Sequence, residues 1–359
     1  MDSVIFINNT NLKKNEYIKI AGFDFDFTLV KTKSNAKFPK NENDWIVWDK
    51  SILPELKKLV SEGYQLVIFS NQNGVSGGQT TLEKVKARFQ QFMDFTNLNW
   101  ICMASIKKDK YRKPGIGMFE YLETQYSINK GDSFYVGDAA GRKKQGKIKA
   151  DFSCSDRKFA FNLGIKFLTP EEFFLKQAIN NKFMIQGFNP FNYNFETNKF
   201  NLEPKKKKQM IIMVGCPCSG KSTFCKTYYP DYEYINQDKL KTKGKVFKAL
   251  EKNLEDENSV IIDSTNPDKK IRADYIKLAK EHNYFVITYI ITMEKEMAIH
   301  MNWFRTKTSD REFIPLLVFH IFFKKLEIPE IEEGINKIRI LQPRLNFEYE
   351  EKQIFLQLT

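Results

Sequence analysis

One eight-residue segment constrains the fold of this chain more than any other. Residues 215–222 read Gly-Cys-Pro-Cys-Ser-Gly-Lys-Ser and fit the pattern G-x-x-x-x-G-K-S. They lie between an apolar run at 210–214, which predicts a buried strand, and residues 221–228, which predict a helix. A glycine-rich turn in that position presents backbone N–H groups to phosphate oxygens. The segment therefore predicts an α/β domain that binds a nucleoside triphosphate.

Two side chains of this loop have predicted roles in phosphoryl transfer. Lys221 is expected to reach the β- and γ-phosphates of ATP, and Ser222 to ligate Mg²⁺. The predicted ATP contacts are Gly215, Cys216, Pro217, Cys218, Ser219, Gly220, Lys221, Ser222 and Thr223. The alternative is a chance match in a helix-capping loop, which the strand before and the helix after make the weaker interpretation.

Strand and helix patterns alternate in two blocks, and the chain of 359 residues is long enough for two domains. The first block has predicted strands at 18–25, 66–69, 101–104 and 133–136, with helices at 57–62, 82–92 and 118–124. The second has strands at 210–214, 260–262 and 285–291. Such alternation predicts parallel sheets with helices on both faces. We expect one domain at 1–182, a linker at 183–208 that includes four consecutive lysines, and a second domain at 209–359.

Two aspartates, Asp24 and Asp26, close the first predicted strand. In extended backbone they point to the same side, and open α/β sheets bind ligands at the carboxyl ends of their strands. Two adjacent carboxylates favour a bound cation, and Mg²⁺ suits carboxylate oxygens. Asp24 could attack phosphorus as a nucleophile, while Asp26 could protonate the leaving oxygen and then activate water. Taken alone, D-x-D is more often a loop or cap feature.

Residues after the following strands favour the catalytic interpretation. Ser70 and Asn71 end the second strand, Lys113 supplies a cation for the attacking carboxylate, and Asp138 offers another Mg²⁺ ligand. The residues predicted to bind substrate phosphate are Thr28, Ser70, Asn71 and Arg142, and the predicted metal ligands are Asp24, Asp26, Asp138 and Ser222. The alternative for Arg142, and for the neighbouring Asp156 and Arg157, is that they brace the motif loop. The segment from Asp26 to Ser70 is too short for a large cap domain, so an open site is expected.

Two residues beyond the phosphate loop complete the predicted transfer site. Asp238 is a candidate general base for a hydroxyl that attacks the γ-phosphate. Arg305, on a predicted helix, is a candidate lid cation that stabilises transition-state charge. The alternatives are an ordinary acid near a helix start and a solvated arginine. Asp263, at a strand end, could brace Mg²⁺ or nucleotide.

These motifs resemble known families. The order Asp24, Ser70, Lys113 and Asp138 is similar to that of haloacid dehalogenase-type phosphatases. Residues 68–74, 111–118, 135–142, 151–157 and 168–174 resemble the phosphatase half of the polynucleotide kinase 3′-phosphatase family, and residues 263–268 and 302–305 its kinase half. The resemblance implies a haloacid dehalogenase-like (Rossmannoid) α/β domain followed by a P-loop kinase domain with a central parallel sheet.

The resemblance also implies roles. Asp24 would be the nucleophile and Asp26 the general acid, with Mg²⁺ held by Asp24, Asp138 and the backbone carbonyl of Asp26. Asp238 would activate a 5′-hydroxyl and Arg305 would be the lid arginine. Gln237 departs from the family, which often has Arg there, so a cation at the 5′-end is missing or supplied elsewhere. The domain order is that of the animal and fungal type, and we expect no N-terminal phosphopeptide-binding domain.

Composition agrees with this interpretation. The net charge of +13 favours polyanionic partners, and lysine-rich composition alone is weak support. Five cysteines without framework spacing indicate reduced thiols in an intracellular protein, in nucleus, cytoplasm or viral factory, and no secretory signal or membrane span is evident. The predicted activity is repair of strand ends, of DNA with RNA left open, by a monomer. Its rivals are a metabolite phosphatase fused to a nucleoside or sugar kinase, and a non-catalytic scaffold that binds strand ends.

Overall fold

A computed structural model describes residues 2–144, 150–195 and 200–359. It divides the chain into a first unit, Met1–Pro190 with Leu356–Thr359, and a second unit, Phe191–Phe355. The boundary falls inside the segment predicted as a linker, and the last four residues group with the first unit. The domain limits predicted from sequence stay a prediction. Among the described residues, none of the helices has the length and apolar character needed to cross a bilayer.

The first unit contains one main sheet. The described residues of this unit form nine strands, seven of them in the main sheet: β1 (Val4–Asn8), β2 (Tyr17–Phe23), β3 (Val30–Lys31), β4 (Ile46–Val47), β5 (Tyr64–Asn71), β6 (Trp100–Ser105), β7 (Ser127–Ile128), β8 (Phe134–Val136) and β9 (Lys166–Leu168). The main order is β1-β6-β5-β2-β8-β9, with β7 beside β2, while β3 and β4 form a separate short hairpin. Strands β6, β5, β2, β8 and β9 are neighbours in that order and all run parallel. The carboxyl ends of β5, β2 and β8 therefore lie side by side.

One edge of this sheet differs from the predicted all-parallel arrangement. Strand β1 pairs antiparallel with β6, with Val4 opposite Ser105 and Asn8 opposite Ile101. An antiparallel edge strand is common on an otherwise parallel sheet. The sequence predicts no strand in the N-terminal segment, because the apolar run that forms β1 is short.

In the part of this unit that the structure describes, five helices cover the first sheet on both faces. They are α1 (Ile52–Ser61), α2 (Leu82–Thr96), α3 (Gly117–Glu123), α4 (Ser155–Leu163) and α5 (Pro170–Phe174). Side chains alternate along each strand, so Leu66 and Ile68 of β5 join one core with α1 and α2. Val67 and Phe69 join the opposite core with α3 and α4. The predicted helices on both faces are therefore confirmed.

The second unit is built on a five-stranded parallel sheet. Its strands are β10 (Gln209–Gly215), β11 (Glu233–Asn236), β12 (Val260–Asp263), β13 (Phe285–Ile291) and β14 (Lys337–Leu341), in the order β11-β12-β10-β13-β14. The helices are α6 (Lys221–Tyr228), α7 (Gln237–Leu240), α8 (Lys243–Glu255), α9 (Lys269–Glu281), α10 (Lys295–Thr308), α11 (Leu316–Lys325) and α12 (Tyr349–Phe355). The predicted central parallel sheet is confirmed, with the fully buried β10 in the middle.

Candidate active sites

Three neighbouring strands of the first unit end at one candidate site. Asp24 directly follows β2, and its backbone N–H donates to the carbonyl of Val136 in β8 at 2.8 Å. Ser70 and Asn71 end β5, and Asp138 follows β8 by one residue. Because the three strands are parallel neighbours, their carboxyl ends meet at one edge of the sheet. The residues predicted from separate motifs are thus brought to one edge.

Lys113 lies at the centre of this site and is only 3% exposed. Its Nζ donates to Asp24 Oδ1 at 2.7 Å, to Asp156 Oδ1 at 2.7 Å and to the Tyr135 hydroxyl at 2.6 Å. Its backbone is held by Asn71, whose Nδ2 donates to the Lys113 carbonyl at 3.0 Å and whose Oδ1 accepts from the Lys113 N–H at 2.9 Å. Asn71 was predicted to bind phosphate; in this structure its amide positions the lysine.

Lys113 is surrounded by more carboxylates than its single positive charge can balance. Asp24, Asp138 and Asp156 each present an oxygen within 4.8 Å of the others. Burial raises the pKa of Asp24 to about 7, with Lys113 opposing that shift, and burial raises the pKa of Asp138 well above its usual value. An all-oxygen donor set with excess negative charge fits Mg²⁺. Both oxygens of Asp156 accept protein hydrogen bonds, Oδ1 from Lys113 and Oδ2 from the Ala139 N–H at 3.0 Å, whereas Lys113 donates to one oxygen of Asp24, so Asp24 and Asp138 are the better placed ligands.

The side chain of Asp26 is held by two donors. Arg88 Nη2 donates to Asp26 Oδ1 at 2.6 Å, and Gln72 Nε2 donates to Asp26 Oδ2 at 2.8 Å. The same Gln72 nitrogen donates to Ser70 Oγ at 2.9 Å. Both carboxylate oxygens of Asp26 therefore face protein donors, and its predicted metal contact through the backbone carbonyl stays a prediction.

Two further predicted phosphate ligands have different surroundings. Thr28 is fully buried, and its Oγ1 has no hydrogen-bond partner among the described residues. Arg142 is engaged: its guanidinium donates to Asp151 at 2.9 Å, to Glu171 at 2.6 Å and to the carbonyl of Asp138 at 3.1 Å. In this structure Arg142 braces the loop that carries Asp138, and it was predicted as a substrate ligand.

The phosphate loop of the second unit follows β10 and opens α6. Gly220 has φ +91°, a left-handed value that favours glycine, and Cys218 also has positive φ, at 64°. Lys221 Nζ donates to the carbonyls of Gly215 at 3.0 Å and Cys216 at 2.7 Å. Burial lowers the pKa of Lys221. The loop closes around its own lysine, where the phosphates of a nucleotide would otherwise be the partners.

Ser222 of this loop contacts the end of a neighbouring strand. Its Oγ donates to Asp263 Oδ2 at 2.5 Å. The hydroxyl of Tyr234 and the amide of Asn236, at 2.9 Å, donate to the same oxygen. Asp263 was predicted only to brace metal or nucleotide, and the structure gives it a direct contact with the predicted Mg²⁺ ligand Ser222. A hydroxyl and a carboxylate together form an oxygen-rich pair suited to Mg²⁺.

The remaining predicted kinase residues are less enclosed. Asp238 is exposed in the first turn of α7, and Gln237 beside it accepts from Ser264 Oγ at 2.5 Å. Arg305 lies on α10, where its Nη2 donates to the carbonyl of Glu312 at 3.0 Å. Burial raises the pKa of Cys218, and the positive charges of Arg305 and Arg311 oppose that rise. Cys218 Sγ also lies 3.9 Å from Oδ1 of Asn302, so the helix that carries the predicted lid arginine contacts the phosphate loop.

Several contacts within this site were not predicted from sequence. Asp156 and Tyr135 hold Lys113, and Arg88 and Gln72 hold Asp26. One signal existed for Arg88: it interrupts the buried stripe of α2 formed by Val85, Phe89 and Phe92. A charge on an apolar helix face needs a partner.

Comparisons with known proteins identify the family. A family model described as polynucleotide kinase 3 phosphatase matches residues 19–174. A protein of Schizosaccharomyces pombe, named bifunctional polynucleotide phosphatase/kinase, is 36% identical over 361 residues, which covers 98% of this chain and 85% of that protein. This chain belongs to the bifunctional polynucleotide phosphatase/kinase family. The resemblance seen in the motifs is confirmed at that level.

A second relative and one solved structure also match this chain. A protein of Acanthamoeba polyphaga mimivirus, provisionally given the same name, is 34% identical over 376 residues, covering 92% of this chain and 86% of that protein. Among solved structures, a heptose bisphosphate phosphatase from B. bronchiseptica, complexed with magnesium and phosphate, covers 46% of this chain and 90% of its own. Its TM-score is 0.35 and its sequence identity 15%.

Proposed function

We propose that this chain is a bifunctional enzyme that heals nucleic-acid ends. It removes a 3′-phosphate in the first unit and transfers the γ-phosphate of ATP to a 5′-hydroxyl in the second. The observation that carries this proposal is the Lys113–Asp24 ion pair in the first unit of a chain that also contains a phosphate loop. A remover and a donor of phosphate in one member of this family point to a broken strand as shared substrate.

In the first unit, Asp24 attacks phosphorus and forms an aspartyl-phosphate. Lys113 keeps Asp24 oriented and balances charge on the phosphoryl group. Ser70 and Thr28 offer hydroxyls to phosphate oxygens, and Asp26 donates a proton to the leaving 3′-oxygen. Asp24 and Asp138 would hold Mg²⁺, which supplies positive charge to the phosphate and keeps both carboxylates ionised. Water, deprotonated by Asp26, then releases inorganic phosphate.

In the second unit, ATP is the donor and residues 215–223 bind its phosphates. Lys221 exchanges its bonds to the Gly215 and Cys216 carbonyls for bonds to phosphate oxygens. Ser222 and Asp263 would hold Mg²⁺ on the nucleotide. Asp238 accepts the proton of the attacking 5′-hydroxyl, and Arg305 stabilises charge on the transferred group.

One oligonucleotide assay tests both activities. A strand with a 3′-phosphate and a 5′-hydroxyl is incubated with Mg²⁺ and ATP, as DNA and as RNA. We expect loss of the 3′-phosphate and gain of a 5′-phosphate. If free nucleotides turn over faster than oligonucleotide ends, the rival metabolite phosphatase and kinase is favoured; salt-dependent binding without turnover would indicate a scaffold. Light scattering of the same sample tests the predicted monomer.

A further inference from the structure

Arg88 is a buried cation that the proposed reaction does not use. It lies on α2 with a side-chain exposure of 5%, and its ion pair with Asp26 measures 2.6 Å. Its guanidinium also lies over the ring of Phe25, 5.2 Å from the ring centre. Phe25 in turn packs on Phe89 and Phe92 of the same helix. The guanidinium is thus fixed from one side by aromatic rings and from the other by the carboxylate.

A contribution to the stability of the fold does not by itself explain why an arginine occupies position 88. Position 88 lies in an apolar stripe, and replacing a buried ion pair by apolar side chains is often neutral or stabilising. Arg88 Nε also has no hydrogen-bond partner among the described residues, so the burial of the guanidinium is incompletely compensated. A charge kept in such a place indicates a role at Asp26, the carboxylate to which it donates.

The two oxygens of Asp26 are not equivalent. Among the described residues, Oδ1 accepts only from Arg88, a strong charge-assisted bond. Oδ2 accepts from Gln72 Nε2, a neutral donor that also donates to Ser70 Oγ. Both partners act only as donors, but the charged guanidinium binds its oxygen more strongly than the neutral amide does, so a proton on Oδ1 is disfavoured. Protonation of Oδ2 costs less, because Gln72 Nε2 keeps its bond to Ser70 Oγ.

We propose that Arg88 is a positioning residue that makes Oδ2 of Asp26 the proton-carrying oxygen of the phosphatase reaction. When the Asp24 oxygen bonds to phosphorus and the bond from phosphorus to the 3′-oxygen breaks, the proton on Oδ2 moves to that oxygen. When water attacks the aspartyl-phosphate, its proton returns to Oδ2, and the bond between phosphorus and Asp24 breaks. Gln72 and Ser70 place this oxygen beside the predicted phosphate position. The inference rests on the proposed phosphatase function.

The leaving group provides the test. A 3′-alkoxide needs protonation as it leaves, whereas nitrophenolate leaves without it, so only the first depends on the general acid. Rapid quench measures the rate constant for aspartyl-phosphate formation from a 3′-phosphorylated oligonucleotide and from p-nitrophenyl phosphate. The variants are Arg88→Gln, which keeps a donor without charge, and Arg88→Lys, which keeps the charge. Asp26→Asn serves as the reference for complete loss of the acid, and Lys86→Gln, on the exposed face of α2, as the matched control.

We expect Arg88→Gln to slow the oligonucleotide reaction by about 30-fold, part of the roughly 10²–10⁴-fold effect of a positioned general acid. The nitrophenyl reaction should change by less than about threefold, and KM should stay within about twofold. Arg88→Lys should recover part of the loss, and Lys86→Gln should match the unmodified chain. The Asp26 carboxylate is 30% exposed, so it remains solvated in these variants and folding should persist.

Equal slowing of both substrates would overturn the proposal, because it would indicate a structural role. A rise in KM alone would also overturn it, since Arg88 would then bind substrate. Failure of the proposed function looks different: the unmodified chain would leave oligonucleotide 3′-phosphates intact. In that case glycerol 2-phosphate, another alkyl ester, replaces the oligonucleotide, and the same contrast with nitrophenyl phosphate still decides the role of Arg88.

Discussion

The two sites differ in how far their charged groups are paired before substrate arrives. In the first unit Lys113 is buried and bonded to Asp24, Asp156 and Tyr135. In the second unit Lys221 bonds to carbonyls of its own loop, and Asp238 is exposed. The first site keeps its proposed nucleophile in place, which lowers the reorganisation needed for reaction. In the proposed reaction the second site exchanges contacts when nucleotide binds, so we expect its assembly to depend on ATP.

Removing the nucleophile is the strongest way to separate the sites. Asp24→Ala should reduce 3′-phosphate removal by at least about 10⁴-fold, because no other group forms the aspartyl-phosphate. Lys113 keeps Asp156 as a partner in this variant, so the unit should stay folded. The rate of 5′-phosphorylation, measured on the same labelled oligonucleotide, should be unchanged. Parallel loss of both activities would show that the sites are not independent.

Replacing the phosphate-loop lysine, Lys221, should remove kinase activity and leave phosphatase activity intact. Lys221→Met should lower 5′-phosphorylation by about 10³-fold, because a cation that stabilises the transferred phosphoryl group is lost. The 3′-phosphatase rate is the internal control and should not move. ATP should protect the unmodified chain from thermal unfolding, and this protection should shrink in the variant. Unchanged protection would contradict the exchange of contacts inferred for Lys221.

Lys113 tests whether the first site is held together by charge. Lys113→Met removes one partner of a buried ion pair, which should destabilise the first unit by about 3–5 kcal/mol. Adding Asp156→Asn removes the excess buried charge and should restore much of the stability without restoring phosphatase activity. Urea unfolding followed by circular dichroism measures both effects. If the double variant is no more stable than the single one, Asp156 and Lys113 are not coupled as the structure shows.

The sequence predicted what is local and missed what depends on tertiary contacts. The phosphate loop and Asp24 lie in short motifs between recognisable elements, so their placement followed from pattern alone. The Lys113–Asp156 hydrogen bond joins residues 43 positions apart, and no sequence pattern predicts such a pair. The edge strand β1 and the grouping of residues 356–359 with the first unit likewise depend on contacts, such as that of Asn162 with Leu358.

Arg142 shows the same limit from the other side. Its position near Asp138 made a phosphate ligand a natural prediction, yet its guanidinium bonds to Asp151 and Glu171. The ion-pair partners of an arginine are set by neighbouring loops that sequence spacing does not bring together. For Arg88, by contrast, the sequence shows a charged residue within the apolar stripe of a helix. It does not show that Asp26 is the partner of that charge.

The smallest expected effect concerns magnesium and pH. Burial raises the pKa of Asp24 from 3.8 to about 7, and that of Asp138 in the same direction. A carboxyl with a raised folded-state pKa stabilises the fold below its unfolded pKa, and that contribution is lost as pH rises through about 7. Metal-free protein should therefore lose stability in the first unit between about pH 4 and pH 7.

Mg²⁺ should reverse that loss, because it binds the ionised carboxylates. At pH 8 a saturating concentration should raise the Tm of the first unit on the order of 5 °C, and at pH 5 the rise should be clearly smaller. Calorimetry with Mg²⁺ or with a chelator measures this, and Asp138→Asn is the control that should lose most of the response. Equal Tm shifts at both pH values, or an undiminished shift in Asp138→Asn, would mean that Mg²⁺ binds elsewhere. The two sites would then differ only in the ion pairs of Lys113, because the cluster of Asp24, Asp138 and Asp156 would not be a magnesium site.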